Sequence, residues 1–205
     1  MWSNCRMWPG LWVRLEGQIV VLEPLRREHE EGLRAAAADE RIWRFMVTTD
    51  PEAWLRATFA EAEAEVRAPF TAFVGGRVAG STSYMSLAPE HLRLEIGSTW
   101  MNPSTWSTGA NVEAKYLLLR HAFERLGCRR VEFKTESTNE RARGALAALP
   151  AQFEGVHRKH MLVRGGERRD SAWYAVVDDD WPEVKAALET RIRKARERAG
   201  RQGGR

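Results

Sequence analysis

The middle of the chain contains a stretch of small and polar residues followed by a strongly periodic apolar segment. Apolar residues recur at spacings of 4, 3, 4 and 3 from Val112 to Leu126, which predicts an amphipathic helix. The first N–H groups of a helix have no intrahelical acceptor, and the positive end of its dipole attracts anions. We therefore expect a phosphate-type site at the helix start, although Asn111 is also a good helix cap. The N–H groups concerned belong to Gly109, Ala110, Asn111 and Val112.

One carboxylate lies within the clearest strand pattern of the chain, residues 92–101. Successive side chains of a strand point to opposite faces. The apolar face is formed by Leu92, Leu94, Ile96 and Trp100. Glu95 is therefore predicted on the other face, where it either takes part in proton transfer or pairs with Arg93 or solvent.

Several familiar kinds of site have no support in the sequence. The motifs G-x-S-x-G, G-x-x-x-x-G-K-S/T and G-x-G-x-x-G are absent, which argues against the usual hydrolase, P-loop and Rossmann sites. His157 and His160 lie three residues apart on a predicted strand, so we expect them on opposite faces and expect no metal site. Cys5 and Cys128 are too few for a disulfide framework, which favours a cytoplasmic location.

Length and composition indicate one globular domain, because 205 residues with 43% apolar and 29% charged side chains can bury a substantial core. The net charge of +4 is uneven: residues 191–205 carry +6, and the rest of the chain carries −2. We divide the chain into a poorly structured leader (1–14), a main domain (15–190) and a basic tail (191–205). The tail is interpreted as a solvated helix end without specific nucleic-acid binding, and no apolar run suggests a membrane span.

The predicted elements alternate between strands and helices. Strands are expected at 19–22, 70–74, 78–84, 92–101, 130–135, 153–163 and 171–177, and helices at 28–38, 52–67, 112–126, 140–149 and after Pro182. Hairpins at both ends with helical crossovers between them predict an α/β (α+β) fold. Its central sheet would be mixed, partly antiparallel and flanked by helices.

This order of elements, together with several local motifs, resembles the GNAT N-acetyltransferases, and within them the RimJ/RimL-like branch, over residues 16–188. The matching motifs are Glu95-Ile96-Gly97, Asn102-Pro103, Trp106 to Asn111, Glu113-Ala114-Lys115, Asn139 to Arg143, Phe153-Glu154-Gly155, Arg158 to Met161 and Trp181 to Lys185. The loop departs from the usual family pattern at its first position, Trp106, and at its last, Asn111.

The resemblance implies direct acetyl transfer from acetyl-CoA to a primary amine, without a metal. The strand ending at Trp100 and Met101 would bind the pantetheine arm, and Asn139 with Arg143 or Arg141 would contact the cofactor again. The pyrophosphate would be held by Ser107, Thr108, Gly109, Ala110, Asn111 and Val112.

The catalytic groups differ from the common family pattern, because many members of the family have a tyrosine where this chain has Leu146. Converting an α-amine of pKa about 8 to its neutral form at pH 7 costs about 1.4 kcal/mol, whereas the same conversion costs about 4.6 kcal/mol for a lysine side chain. Glu95 acting through a water would then suffice as a base. Ser137 is a weaker candidate for contact with the departing thiol.

The acceptor is expected beside aromatic residues that either line a pocket or belong to the core: Trp43, Phe45, Tyr84 and Trp173. It would be a protein N-terminal α-amine or a small amine. The alternative is a non-catalytic CoA-binding or ribosome- or RNA-associated module on the same fold. A homodimer is suggested by analogy alone.

Overall fold

The computed structural model describes residues 8–203 of the chain. The strands are β1 (Leu15–Glu16), β2 (Val20–Pro24), β3 (Ala68–Val74), β4 (Arg77–Ala88), β5 (Arg93–Met101), β6 (Arg130–Glu136), β7 (Gln152–Val163) and β8 (Glu167–Val177). The α-helices are α1 (Glu30–Ala36), α2 (Pro51–Glu63), α3 (Ala110–Glu124), α4 (Glu140–Ala147) and α5 (Trp181–Gly203).

The strands form one eight-stranded sheet in the order β1-β2-β3-β4-β5-β6-β8-β7. Only β5 and β6 are parallel neighbours, because α3 carries the chain from one to the other; the remaining pairs are antiparallel. The predicted mixed, partly antiparallel sheet flanked by helices is confirmed. The glycines Gly75 and Gly76 make the tight β3–β4 turn in the left-handed region, with φ of 57° and 75°.

The two faces of the sheet are covered by different helices. The main core lies under α3 and α5 and includes Leu94, Ile96 and Leu118. A second, smaller core lies under α1 and α2, where the rings of Trp54 and Trp100 meet edge to face with centroids 5.2 Å apart.

The alternation predicted for residues 92–101 fails at Ser98. This residue has a φ of 47°, and between the paired positions Gly97 and Trp100 two residues of β5 lie opposite one residue of β4. Such a bulge reverses the facing of the residues beyond it. Trp100 therefore packs in the second core, opposite to Leu94 and Ile96, rather than beside them as predicted.

The segment before β1 packs against the main core. Leu11 is fully buried, and the indole N–H of Trp8 donates to the carbonyl of Leu126 over 3.1 Å. These contacts anchor the described part of the segment that we interpreted as a leader. Residues 1–7 lie outside the described residues.

Helix α5 runs antiparallel to α3 and extends along the whole of α3. Trp181 stacks on Phe123 near the end of α3, and Ala195 lies against Gly109 at its start. The basic tail, which is interpreted from the sequence as a solvated helix end, is helical as far as Gly203. Neither α5 nor any other helix within residues 8–203 is long and apolar enough to cross a membrane.

Truncation after Thr190 should measurably destabilise the protein. It removes Ile192, which is 9% exposed, and the hydrogen bond from Arg191 to the carbonyl of Ala148. Burying a side chain of this size contributes about 1.5–3 kcal/mol, so we expect a melting temperature several degrees lower in a thermal scan. Truncation after Gly200 is the control and should have no effect; equal melting temperatures for both would show that this turn of α5 is not packed.

Candidate active site

A cleft opens in the sheet where β5 and β6 separate. The two strands pair only at Arg93, Leu94 and Glu95. From residue 96 to residue 101, β5 keeps its partner β4 on one edge and has no strand on the other among the described residues. Peptide groups along such an edge are able to hydrogen-bond an extended ligand.

The start of α3 lies at the wide end of this cleft. Gly109 caps the helix with a φ of 95°, and Asn111, which we considered as the cap, lies inside the helix. The N–H of Ala110 bonds to Thr108 Oγ1 and that of Glu113 to the Gly109 carbonyl. The N–H groups of Asn111 and Val112 remain for a ligand, and Asn111 Oδ1 is buried without a partner in the described chain.

The start of α3 is held by contacts with the β1–β2 turn and with α5. The Glu113 carboxylate accepts hydrogen bonds from the N–H groups of Gln18, Ile19 and Val20 at 3.0, 2.6 and 2.8 Å. A Cβ at Gly109 would approach the Cβ of Ala195 to 2.6 Å. The helix start is thus clamped between the β1–β2 turn and α5, which fixes the direction of its free N–H groups.

Two cations flank the same loop. The Arg141 guanidinium lies 3.7 Å from the ring centroid of Trp106, and Arg41 lies 5.4 Å from it. Lys115, one turn after Asn111, lies over Phe133, and burial lowers the pKa of its ammonium group to about 8. Lys115 was not predicted as a site residue, although it belongs to the motif Glu113-Ala114-Lys115.

The two residues expected to contact the cofactor from the β6–α4 junction have internal partners. The side chain of Asn139 caps α4 by accepting from the N–H of Ala142 at 3.0 Å. Arg143 donates to the Tyr174 hydroxyl at 3.2 Å and to the Ser137 carbonyl at 3.1 Å. Arg141 rather than Arg143 therefore lies at the loop before α3.

Glu95 stands at the point where β5 and β6 separate. Its carboxylate is 1% exposed, pairs with Lys134 Nζ at 2.8 Å and accepts from Ser86 Oγ at 3.0 Å. The predicted alternative of pairing with Arg93 is wrong, because Arg93 pairs with Glu132. Lys134 was missed, since its approach to Glu95 depends on the register of two strands distant in sequence.

The wall of this region next to β6 is aromatic. Lys134 Nζ lies 5.4 Å from the ring centroid of Trp173, and the rings of His157 and His160 lie 4.9 and 5.5 Å from that indole ring. The prediction that the two histidines occupy opposite faces is wrong, because β7 is irregular between His157 and Met161. Burial and the neighbouring Lys134 lower the pKa of His160.

The loop before α2 covers this region on the side of α1 and α2. The turn between β7 and β8 contacts the loop before α2, where the N–H of Arg164 donates to the Val47 carbonyl and its guanidinium to the Met46 carbonyl, at 2.9 and 3.1 Å. Phe45 is half-buried in this loop. The face of the sheet that carries Glu95 is thereby partly enclosed.

Two of the four predicted acceptor residues belong to the core. Trp43 is 3% exposed and donates to the Ala37 carbonyl within the second core. Tyr84 is fully buried on the α3 face, where its hydroxyl donates to the Leu118 carbonyl at 2.7 Å. The interpretation of Trp43 and Tyr84 as pocket residues is therefore corrected, and Phe45 and Trp173 remain.

Ser137 follows β6 at the open end of the cleft, with its N–H bonded to the carbonyl of Asp170.

Cys128 is buried in the main core, and burial raises the pKa of its thiol to about 12. A thiol of this kind is a packing group rather than a nucleophile. Within residues 8–203, no three His, Cys, Asp or Glu side chains converge in a way that could hold a metal ion.

Comparison with known proteins relates this cleft to a family. The acetyltransferase (GNAT) domain family matches residues 20–151, which is more than half of the chain. No curated protein matches in sequence. A crystal structure assigned to the acetyltransferases is 41% identical, with 94% of this chain and 96% of that chain covered and a TM-score of 0.79.

Two further solved structures share the fold. A GCN5-related N-acetyltransferase from Brucella melitensis is 29% identical, with 88% and 86% of the two chains covered and a TM-score of 0.82. Mycobacterium smegmatis RimJ, in complex with CoA-disulfide, is 21% identical, with 89% and 95% covered and a TM-score of 0.72. The chain belongs to the GNAT acetyltransferase family and is an acetyltransferase.

Proposed function

We propose that this protein transfers an acetyl group directly from acetyl-CoA to a primary amine, as an enzyme of the RimJ/RimL-like branch. The acceptor would be a protein N-terminal α-amine or a small amine. One observation carries the proposal: the unpaired edge of β5 connects the free N–H groups at the start of α3 with the buried carboxylate of Glu95. The CoA-disulfide bound by the RimJ relative supports it.

The residues of the cleft suit a long ligand with anionic groups at one end. The N–H groups of Asn111 and Val112 would hold a diphosphate, within the loop formed by Ser107, Thr108, Gly109 and Ala110. Arg141 and Lys115 would add positive charge beside it. When bound, acetyl-CoA supplies a thioester, and a neutral amine can attack this thioester without any further activation of the acetyl group.

The pantetheine arm would lie along the unpaired edge of β5. Peptide groups between Ile96 and Trp100 would bind it, whereas the Met101 carbonyl already accepts from Trp106 Nε1 at 2.8 Å. The side chain of Trp100 is buried in the second core, so any contact from this residue would be made by its backbone. This arrangement directs the reactive end of the ligand toward Glu95.

Glu95 would remove the proton that the attacking amine must lose. Lys134 and Ser86 hold its carboxylate in place at the narrow end of the cleft. An α-amine is about a tenth neutral at pH 7, so a carboxylate acting through one water is a sufficient base. The leaving thiolate, placed beside Glu95, needs little acid assistance because thiols have a pKa near 8.5. Ser137 lies at the other end of the cleft, so we propose no contact between it and the thiolate.

Acetyl transfer itself tests this proposal. Purified protein is mixed with acetyl-CoA and a panel of peptides and small amines, and the release of free thiol is followed together with the mass of the amine. We expect thiol release that depends on the amine and is matched by an acetylated product. Thiol release that is equal with and without amines would contradict direct transfer.

A further inference from the structure

The enclosed face beyond Glu95 contains buried hydrogen-bond donors without partners. Arg169 on β8 is 6% exposed, and its Nε atom has no acceptor among the described residues. The indole Nε1 of Trp173, on the same strand, is also buried without a partner. Because β8 pairs with β6 in unbroken register from Ser171 to Val177, Ser171 and Trp173 lie on one face. Arg169 lies two residues before Ser171 on the same strand, so continued alternation places it on that face too.

The carboxylates near Arg169 are already paired with other cations. Glu95 pairs with Lys134 at 2.8 Å, and Glu136 pairs with Arg164 at 3.0 Å. Arg164 also pairs with Glu167 at the exposed rim. Arg169 forms no salt bridge within the described part of the chain, and burial lowers the pKa of its guanidinium, which Glu136 and Glu95 only partly oppose.

A buried cation without a counter-charge is costly, because its desolvation is not offset by an ion pair. Guanidinium and indole N–H groups donate hydrogen bonds and accept none, so a group that satisfies them must present acceptor oxygens. A carboxylate accepts two hydrogen bonds from an arginine in matching geometry. It would also bring Arg169 the direct counter-charge that no side chain among the described residues supplies. A neutral amide would satisfy one donor but leave the charge uncompensated.

We propose that the acceptor amine carries a carboxylate, which Arg169 and Trp173 Nε1 bind while the amine faces Glu95. This inference rests on the proposed acetyl transfer and narrows its acceptor class. The carboxylate belongs either to a free amino acid or to an acidic side chain next to a peptide N-terminus. Both sources offer the same chemistry to Arg169.

The first measurement uses the unaltered protein and paired probes. A free α-amino acid is compared with its carboxamide, and a peptide with Asp at its second position is compared with the Asn peptide. The kcat/KM values are corrected for the fraction of neutral amine. We expect the carboxylate probe to be favoured by about tenfold to a hundredfold in one of the two arms, which also identifies the source. Equal values within both pairs would overturn the inference and leave acetyl transfer intact.

The second measurement uses Arg169→Gln. Arg168→Gln is the matched control, because Arg168 precedes Arg169 on the same strand and its side chain is exposed. Arg169→Gln should lose the preference for the carboxylate, so that the kcat/KM values on the carboxylate and amide probes become equal. Arg168→Gln and Arg169→Lys should retain the preference. A preference that survives Arg169→Gln would contradict the role of Arg169.

A readout independent of turnover separates this inference from the proposed function. Calorimetric titration of the CoA-saturated protein should show tighter binding of the carboxylate probe than of its amide, and this difference should vanish in Arg169→Gln. If no amine is acetylated, the proposed function is wrong, and the titration alone then decides whether the carboxylate site exists. The melting temperature and its rise with CoA verify that each variant is folded.

Discussion

Replacing Glu95 with glutamine should lower turnover by about tenfold to a thousandfold while leaving CoA affinity within about threefold, because a positioned base contributes about 10²–10⁴. The amide keeps the shape of the side chain but cannot take the proton of the attacking amine. Steady-state rates and CoA titrations on the same preparation measure both quantities. The Lys134 ammonium loses its counter-charge in this variant, so we also expect a lower melting temperature.

Glu132→Gln is the matched control for this loss of stability. Glu132 is also buried and lies opposite Glu95 in the β5–β6 pairing, but its carboxylate pairs with Arg93 and Arg130, which lie in the joined part of the two strands and not where they separate. This variant should be destabilised with turnover within about threefold of the unaltered protein, since removing one partner of a buried pair affects the fold. Equal losses of turnover in both variants, or none in Glu95→Gln at any pH, would assign Glu95 a structural role.

Gly109→Pro should abolish the stabilisation of the protein by CoA. Proline requires a φ near −65°, whereas Gly109 has a φ of 95° at the start of α3. At about one hundred times its Kd, a ligand stabilises the fold by about 2.7 kcal/mol, which a thermal scan detects as a rise of several degrees. The variant should show no such rise, because the N–H groups of Asn111 and Val112 lose their direction.

Two further variants keep this prediction testable if Gly109→Pro folds poorly. Gly109→Ala places a Cβ 2.6 Å from that of Ala195, so it should weaken CoA binding less severely. Gly144→Ala is the control, since a Cβ there meets nothing within 4 Å, and it should respond to CoA like the unaltered protein. A normal CoA response in Gly109→Pro would show that the loop before α3 does not hold the diphosphate.

Patterns confined to one segment predicted most of the elements. The apolar spacing between Val112 and Leu126 was enough to predict α3, and adjacent glycines were enough to predict the β3–β4 hairpin. Both signals are local, because helix periodicity and turn chemistry are read within a few residues. The motifs around residues 95–111 also indicated the family before any strand pairing was known.

What the sequence did not reveal depends on pairing between distant segments. The bulge at Ser98 moves Trp100 to the second core, and the irregularity in β7 brings His157 and His160 to the same indole ring. Bulges are fixed by the neighbouring strand, so alternation alone predicts the wrong face beyond them. The contact of Lys134 with Glu95 likewise depends on the register between β5 and β6.

The contact between the end of α5 and the start of α3 is a second feature that the amino-acid composition does not predict. Six of the thirteen residues after Ile192 are basic, a composition that indicates a solvated helix end. Ala195 nevertheless lies against Gly109, because α5 runs along α3 as far as its first residue. A glycine and an alanine in contact bury little area and leave no pattern in the sequence.

A crystal structure of the protein with CoA would show whether one cleft joins the start of α3 to Glu95. We expect the diphosphate against the N–H groups of Asn111 and Val112, the pantetheine arm along the unpaired edge of β5, and the sulfur at the end of the cleft where Glu95 lies. A diphosphate bound elsewhere, or a sulfur directed away from Glu95, would contradict the account.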